Sequence, residues 1–111
     1  MRIAICSSMT FSEQLIEMKN RLERRGHVVF ISRFAEKFLG KSESEKEELN
    51  LFHQRECDVI RHFWEKINDS DAILVLNYEK RGIPGYIGGN TLMEIGFAHV
   101  LRKKIYFVNP I

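Results

Sequence analysis

Apolar residues fall along this chain in two rhythms: short unbroken runs bounded by small polar residues, and longer stretches where they recur every three or four positions. Arg2–Ser7 (RIAICS) is of the first kind and, bounded by Ser7 and Ser8, suits a buried parallel strand. Thr10–Arg25 follows, with Phe11, Leu15, Met18 and Leu22 spaced four, three and four apart and Glu13, Glu17, Lys19 and Arg21 on other faces. That spacing predicts an amphipathic helix, and Gly26 supplies its stop. His27–Ser32 (HVVFIS) reads as a second strand, and residues 33–44 as a polar connector. From Ser44 a helical stretch is predicted as far as Asp69, with Leu49, Phe52, Ile60, Phe63 and Ile67 on one stripe. Its acidic start, SESEKEE, suits the positive end of a helix dipole. Ala72–Asn77 (AILVLN) is the third strand, Tyr78–Gly89 a loop with four glycines and Pro84, Thr91–Arg102 the last long helix, and Ile105–Val108 the fourth strand.

Strands that alternate with helices imply crossover connections and a parallel sheet covered on both faces, an α/β fold. The chain has no internal repeat and no linker, so residues 1–111 are read as one domain. In an open sheet of this kind a ligand binds beyond the carboxyl ends of the strands, where strand order reverses. For an order of 2-1-3-4 that crevice lies between the first and third strands. Ser7, Ser8 and Met9 then stand at the end of one, Asn77 and Tyr78 at the end of the other, and the glycine-rich loop with Glu94 lies above the fourth strand.

Charge narrows the range of partners. Seventeen Lys and Arg against fifteen Asp and Glu leave a formal +2, and the basic residues are scattered or in short groups such as Arg24–Arg25 and Arg102–Lys104. That is ordinary surface charge rather than a nucleic-acid footprint. The longest apolar run, Ala72–Leu76, is far short of the ~20 residues a membrane helix needs, and the first residues show no signal-peptide pattern. A cytoplasmic protein with no membrane or nucleic-acid partner is expected. Cys6 lies in a predicted strand and Cys57 in a predicted helix, outside any CxxC motif, so both are expected to be reduced. No cofactor is expected. At 111 residues the chain is small for an enzyme that works alone, which makes a homo-oligomer the expected state.

The chemistry concentrates in Gly85–His99, GYIGGNTLMEIGFAH, where one glutamate interrupts a small and apolar helix. Thr91-Leu92-Met93-Glu94 matches a capping box, in which the Thr hydroxyl and the Glu carboxylate each satisfy an orphan backbone amide. The same carboxylate, kept ionised near a helix N-terminus, meets the requirement for a nucleophile attacking an electron-poor sugar carbon. The two roles are compatible. Gly96 is expected to let this helix approach the sheet closely, and exposed backbone amides in the Gly85–Asn90 loop to offer an anion site.

Cys6-Ser7-Ser8 after the first strand, Asp71-Ala72 opening the third, and Thr91–Ala98 (TLMEIGFA) before the last helix and strand together resemble the nucleoside 2-deoxyribosyltransferase-like family, which includes deoxynucleoside monophosphate N-glycosidases. The resemblance runs through most of the chain and is most specific at Glu94–Ala98. It implies a flavodoxin-like three-layer sandwich and cleavage of an N-glycosidic bond of a deoxynucleoside or its monophosphate through a glycosyl-enzyme ester. The family's nucleophile falls on Glu94, and a pocket serine on Ser8. Asn77, Tyr78, Gly88, Gly89, Asn90, Thr91 and Ser7 complete the expected substrate-binding set. Where active members carry an aspartate before the third strand this chain has Phe63, with Asp58 and Glu65 as nearby acids; Ala4 replaces a family tyrosine and Ser7 a glycine. The family's last helix and strand find no counterpart before Asn109-Pro110-Ile111, which is expected to leave apolar surface and a sheet edge for self-association.

Other constellations are weaker. His53 and Cys57 stand four apart, yet lack a third metal ligand, so packing is the better reading and no metal is expected. His99 is five residues from Glu94 and points elsewhere. Tyr78 and Tyr86 flank the loop and are suited either to stacking on a base or to covering a core edge. Arg33, Lys80 and Arg81 are candidates for a phosphate or for simple solvation. Trp64 is expected in the core or an interface. Two functions stand: glycosyl transfer or hydrolysis through Glu94, and a nucleotide-binding or sensing module that binds without turnover.

Overall fold

The computed structural model describes residues 1–56 and 59–110, with side chains described for all of these except 53–56 and 59. Among the described residues four strands, β1 (Arg2–Ser7), β2 (Val28–Phe30), β3 (Ala72–Leu76) and β4 (Lys104–Phe107), pair in parallel in the order β2-β1-β3-β4. Four α-helices accompany them: α1 (Ser12–Arg24), α2 (Glu43–Glu56), α3 (Val59–Asn68) and α4 (Gly89–Val100), with 3₁₀ turns at Met9–Phe11 and Ala35–Phe38. The molecule is an α/β three-layer sandwich of the flavodoxin-like kind, and its strand order reverses between β1 and β3.

Side-chain alternation builds the two faces. Ala4 and Cys6 of β1 and Ile73 and Val75 of β3 point to one side, where Phe63 and Ile67 of α3 and Ala98 of α4 cover them. Ile5 and Leu76 point to the other, against Leu15 of α1 and Ala35. Leu15 and Ile67 are fully buried, and each contributes about 1.5–3 kcal/mol by leaving water. Gly26, with φ +89°, ends α1: its N–H donates to Glu23 O at 3.0 Å and that of His27 to Leu22 O at 3.2 Å. These paired bonds are those of a Schellman stop.

The middle of the chain departs from the hydropathy reading. Residues 33–44 hold a 3₁₀ turn whose Ala35 and Phe38 are buried. The stretch expected as a single helix from Ser44 to Asp69 forms two, α2 and α3, with residues 57 and 58 between them outside the described set. Of the expected stripe, Phe63 and Ile67 are buried, but Phe52 is 56% and Ile60 41% exposed. Helix α2 packs instead on the Met9–Phe11 turn, and Lys46 is its buried residue among those described. Trp64 is 37% exposed and so lies outside the core. The expected loop after β3 contains a tight reversal in which Lys80 and Ile83 exchange backbone hydrogen bonds of 3.1 and 2.9 Å. Its central residues, Arg81 and Gly82, both have positive φ, +52° and +78°, the conformation of a hairpin turn whose twist matches its flanks. Among the described residues no helix is long and apolar enough to cross a membrane.

Candidate functional site

A cavity of about 370 Å³ opens at the carboxyl end of β1, between α2, α3 and the first turns of α4. This is within the size range of small-molecule sites, about 300–1,000 Å³. Ser7, Ser8, Gly88, Gly89, Asn90, Thr91 and Glu94 all line it, so the fold brings together the end of the first strand and the start of the last helix.

Asn77 and Tyr78 are not among its lining residues. Asn77 is fully buried and is spent on structure: its Nδ2 donates to Asn109 O at 2.9 Å, and its Oδ1 accepts from the Asn109 N–H at 2.9 Å. Tyr78 packs edge-on against Phe11, with ring centroids 5.5 Å apart. Each of these groups closes the end of β3 toward its neighbours instead of toward the cavity.

The placement of Glu94 corrects the capping-box expectation. Helix α4 begins at Gly89, with Gly88 as an N-cap that offers no side-chain hydrogen bond, and Leu92 N–H donates to Gly88 O at 2.9 Å. Starting two residues early puts Thr91, 2% exposed, inside the first turn and carries Glu94 into the second, out of reach of the orphan amides. Burial drives the Glu94 carboxyl up to about 8, and a hydrogen bond from the Cys6 thiol offsets only part of that. Burial, then the neighbouring Glu94, raises the Cys6 thiol well above the ordinary range. The expected ionised carboxylate is therefore mostly protonated at neutral pH, because desolvation outweighs the Cys6 hydrogen bond. Gly96 is exposed, and a Cβ added there would meet nothing within 4 Å; close packing at this glycine is not what sets α4.

Around Glu94 the walls differ in character. Ser8 Oγ accepts from Thr10 N–H at 3.3 Å, whereas the buried Ser7 Oγ has no hydrogen-bond partner. Phe34, Phe38, Phe63 and Phe97 form an apolar side. Lys46, Glu47 and Asn50 of α2 enter from above. Lys46 is 6% exposed, and its Nζ donates to Thr10 O at 3.1 Å and to Glu13 Oε2 at 2.6 Å. Burial opposes the charge on Glu13, but the Lys46 and backbone hydrogen bonds outweigh it and lower the carboxyl to about 2.

The remaining candidates are dispersed. Tyr86 and Lys80 line the cavity. Arg81 turns away to Glu43, Nε to Oε1 at 2.9 Å, and to Glu47. Arg33 lies over the Phe34 ring at 4.7 Å and is not a lining residue. His99 and Glu65 are exposed. Cys57 and Asp58, and the His53 side chain, lie outside the described residues; among the described ones no group of three or more His, Cys, Asp or Glu is placed to hold a metal ion. Sequence reasoning missed Lys46, Glu47, Asn50, Phe34 and Phe38. The two phenylalanines carry a signal, the Phe34–Ala35–Phe38 spacing of one helical turn inside a nominally polar connector. The α2 residues carry none, since nothing local marks which polar residue of an acidic helix faces inward. In comparisons with known proteins, no protein-family model matches the chain and no curated protein matches it.

Proposed function

We propose that this protein cleaves or transfers the N-glycosidic bond of a deoxynucleoside or deoxynucleoside monophosphate, with Glu94 as nucleophile. The observation that carries the reading is the position of Glu94: a carboxyl set in a cavity of nucleoside size, with hydroxyls of Ser7, Ser8 and Thr91 and an aromatic wall around the same space. The Glu94 carboxylate oxygen bonds to the anomeric carbon while the C–N bond breaks, its electron pair passing to the base nitrogen, which takes up a proton. Water or a second base then attacks the sugar carbon and restores the carboxylate. The phenylalanines suit the base, and the hydroxyls the sugar.

Because the reactive form is the ionised one and the carboxyl sits at about 8, base release should rise by about tenfold per pH unit below 8 and level off above it. The direct test is incubation of the pure protein with a panel of deoxynucleosides and their monophosphates, followed by chromatography for free base. Glu94→Gln should lower the rate at least ~100-fold without loss of fold. Equal rates in the two proteins would remove Glu94 from the chemistry.

The second reading, a binding or sensing module without turnover, draws on the same protonation state. A neutral Glu94 at pH 7 is a hydrogen-bond donor to a ligand. Saturable binding with no base released at any pH from 6 to about 9.5, a range that spans the Glu94 transition, would establish it. Self-association belongs to either reading. Exposed Leu51, Trp64 and Leu92, 52%, 37% and 62% exposed, are apolar surface of the kind that pairs subunits.

A further inference from the structure

The proposed nucleophile stands over a buried thiol that the chemistry above leaves unused. Cys6 is 1% exposed in β1, an inner strand of the sheet, and leaves the strand on the face of Ala4, toward α3 and α4. Phe63, Val75 and Ala98 pack in the same cluster. Glu94 precedes Ala98 by four residues on α4, so the two share a helix face. Glu94 is the one nearer the start of the helix, where the cavity opens. The Cys6 thiol and the Glu94 carboxyl meet there in a hydrogen bond.

The rest of the cluster is apolar, and among the described residues Glu94 is the hydrogen-bond partner of the thiol. Burial and the neighbouring carboxyl keep the thiol protonated, so it acts as a donor and not as a nucleophile of its own. Glu94 also lines the cavity, and Ser7, 9% exposed with an unpartnered Oγ, lines it too. The carboxyl that the thiol holds therefore borders a space with a buried polar group still open to a ligand.

No charged group competes with Cys6 for this carboxyl. Of the titratable residues that line the cavity, Lys46 is paired with Glu13 at 2.6 Å, and Glu47 with Arg81 and with Lys80, the latter at 3.9 Å. Tyr86 lies beneath the Lys80 ammonium, 4.7 Å from the ring centroid. The elements packed on this side of α4 turn apolar groups toward it: Phe63 and Ile67 from α3, Val75 from β3, Ile105 and Phe107 from β4. Burial raises the Glu94 carboxyl, and the Cys6 bond is what opposes burial.

We infer that Cys6 is a positioning residue for the proposed nucleophile: its thiol donates to one Glu94 oxygen, fixes the carboxyl over β1 and leaves the other oxygen for the cavity. The inference rests on the Glu94 reading of the site and adds to it the group that holds the carboxylate as it attacks. The thiol proton stays on sulfur throughout, while the bond to the anomeric carbon forms at the other oxygen. A donor to a carboxylate favours its ionised form, so the same contact enlarges the reactive fraction of Glu94 at a given pH.

Cys6→Ala and Cys6→Ser leave nearly equal space in the cluster, but only the serine keeps a donor. Carbon-13 NMR of the Glu94 carboxyl, which needs no turnover, should place its midpoint at least ~0.5 pH unit higher in Cys6→Ala, and at or below the wild-type value in Cys6→Ser. In the base-release assay Cys6→Ala should lower kcat on the alkaline plateau at least ~5-fold with KM within about twofold, and Cys6→Ser should recover it. Wild-type protein decides if either variant fails to fold: the Cys6 thiol proton, protected from exchange, should be visible by proton NMR and move downfield as Glu94 ionises. Equal midpoints in the two variants, or a wild-type thiol proton that is flat across the transition or exchanges freely with water, would overturn the inference. Base release that is lost in Glu94→Gln but unchanged in Cys6→Ala removes the role of Cys6 and keeps that of Glu94. The midpoint shift without base release from wild-type protein does the reverse, keeping the thiol bond and removing the nucleophile.

Discussion

At the scale of single residues, Glu94 links stability to pH. The native protein holds its proton up to about pH 8, whereas the unfolded chain releases it near the ordinary value of 4.5. Its contribution to stability is therefore complete below 4.5 and is lost as pH rises through 8. Within that window the loss is up to about 1.4 kcal/mol per pH unit. Urea denaturation of Glu94→Gln across pH 5–9 should show the wild-type slope flattened and the variant more stable at the alkaline end; parallel slopes would show that Glu94 titrates normally. Glu13 behaves oppositely, with a lowered carboxyl that loses its contribution as pH falls from 4.5 toward 2. Glu13→Gln strips the buried Lys46 of its anion. The cost should be about 1–2 kcal/mol, less than for a wholly buried pair because Glu13 is half exposed.

At the scale of elements, one clasp holds the strand ends together and one turn shapes the cavity wall. The reciprocal Asn77–Asn109 bonds tie the end of β3 to the segment after β4. Asn77→Ala removes two side-chain bonds from a fully buried site and should cost about 2–3 kcal/mol by thermal or chemical denaturation. A loss below half a kcal/mol would show the clasp to be dispensable. The hairpin turn at Arg81–Gly82 presents Lys80 and Tyr86 to the cavity. Gly82 sits at φ +78° and a Cβ added there meets nothing within 4 Å, so Gly82→Ala causes no clash but strains the backbone, at about 1–2 kcal/mol. That strain should fall on the hairpin alone and weaken ligand binding more than it lowers the melting temperature.

For the whole molecule, the apolar surface that the fold does not bury sets the prediction. Leu51 of α2 and Leu92 of α4 stand more than half exposed, and Trp64 of α3 is 37% exposed. Light scattering at tens of micromolar should report a mass above that of one chain, and Leu51→Glu or Trp64→Glu should lower it. Monomer mass in the wild-type protein at that concentration would count against self-association. The reversal of strand order between β1 and β3 explains why the cavity lies where it does: crossover connections leave in opposite directions there and open a gap above the strand ends.

The sequence by itself determined the sheet and its order of elements. Strand cores such as Ile3–Cys6 and Ala72–Leu76 are unbroken apolar runs, and the amphipathic repeat of α1 recurs every third or fourth residue; both are local signals that need no partner to be read. It also grouped Ser7, Ser8, Gly88–Thr91 and Glu94, which line one cavity, since strand ends and helix starts meet at one edge of this architecture. Only the tertiary structure decided which polar groups face inward. Lys46 is buried because Thr10 and Glu13 meet it from a distant part of the chain, Asn77 is structural because Asn109 returns beside it, and Glu94 keeps its proton because of what surrounds it. The start of α4 shows the same division. Thr91 and Glu94 have the spacing of a cap, but the packed helix begins at Gly89, and burial rather than local sequence fixes the charge of the group on which the proposed chemistry depends.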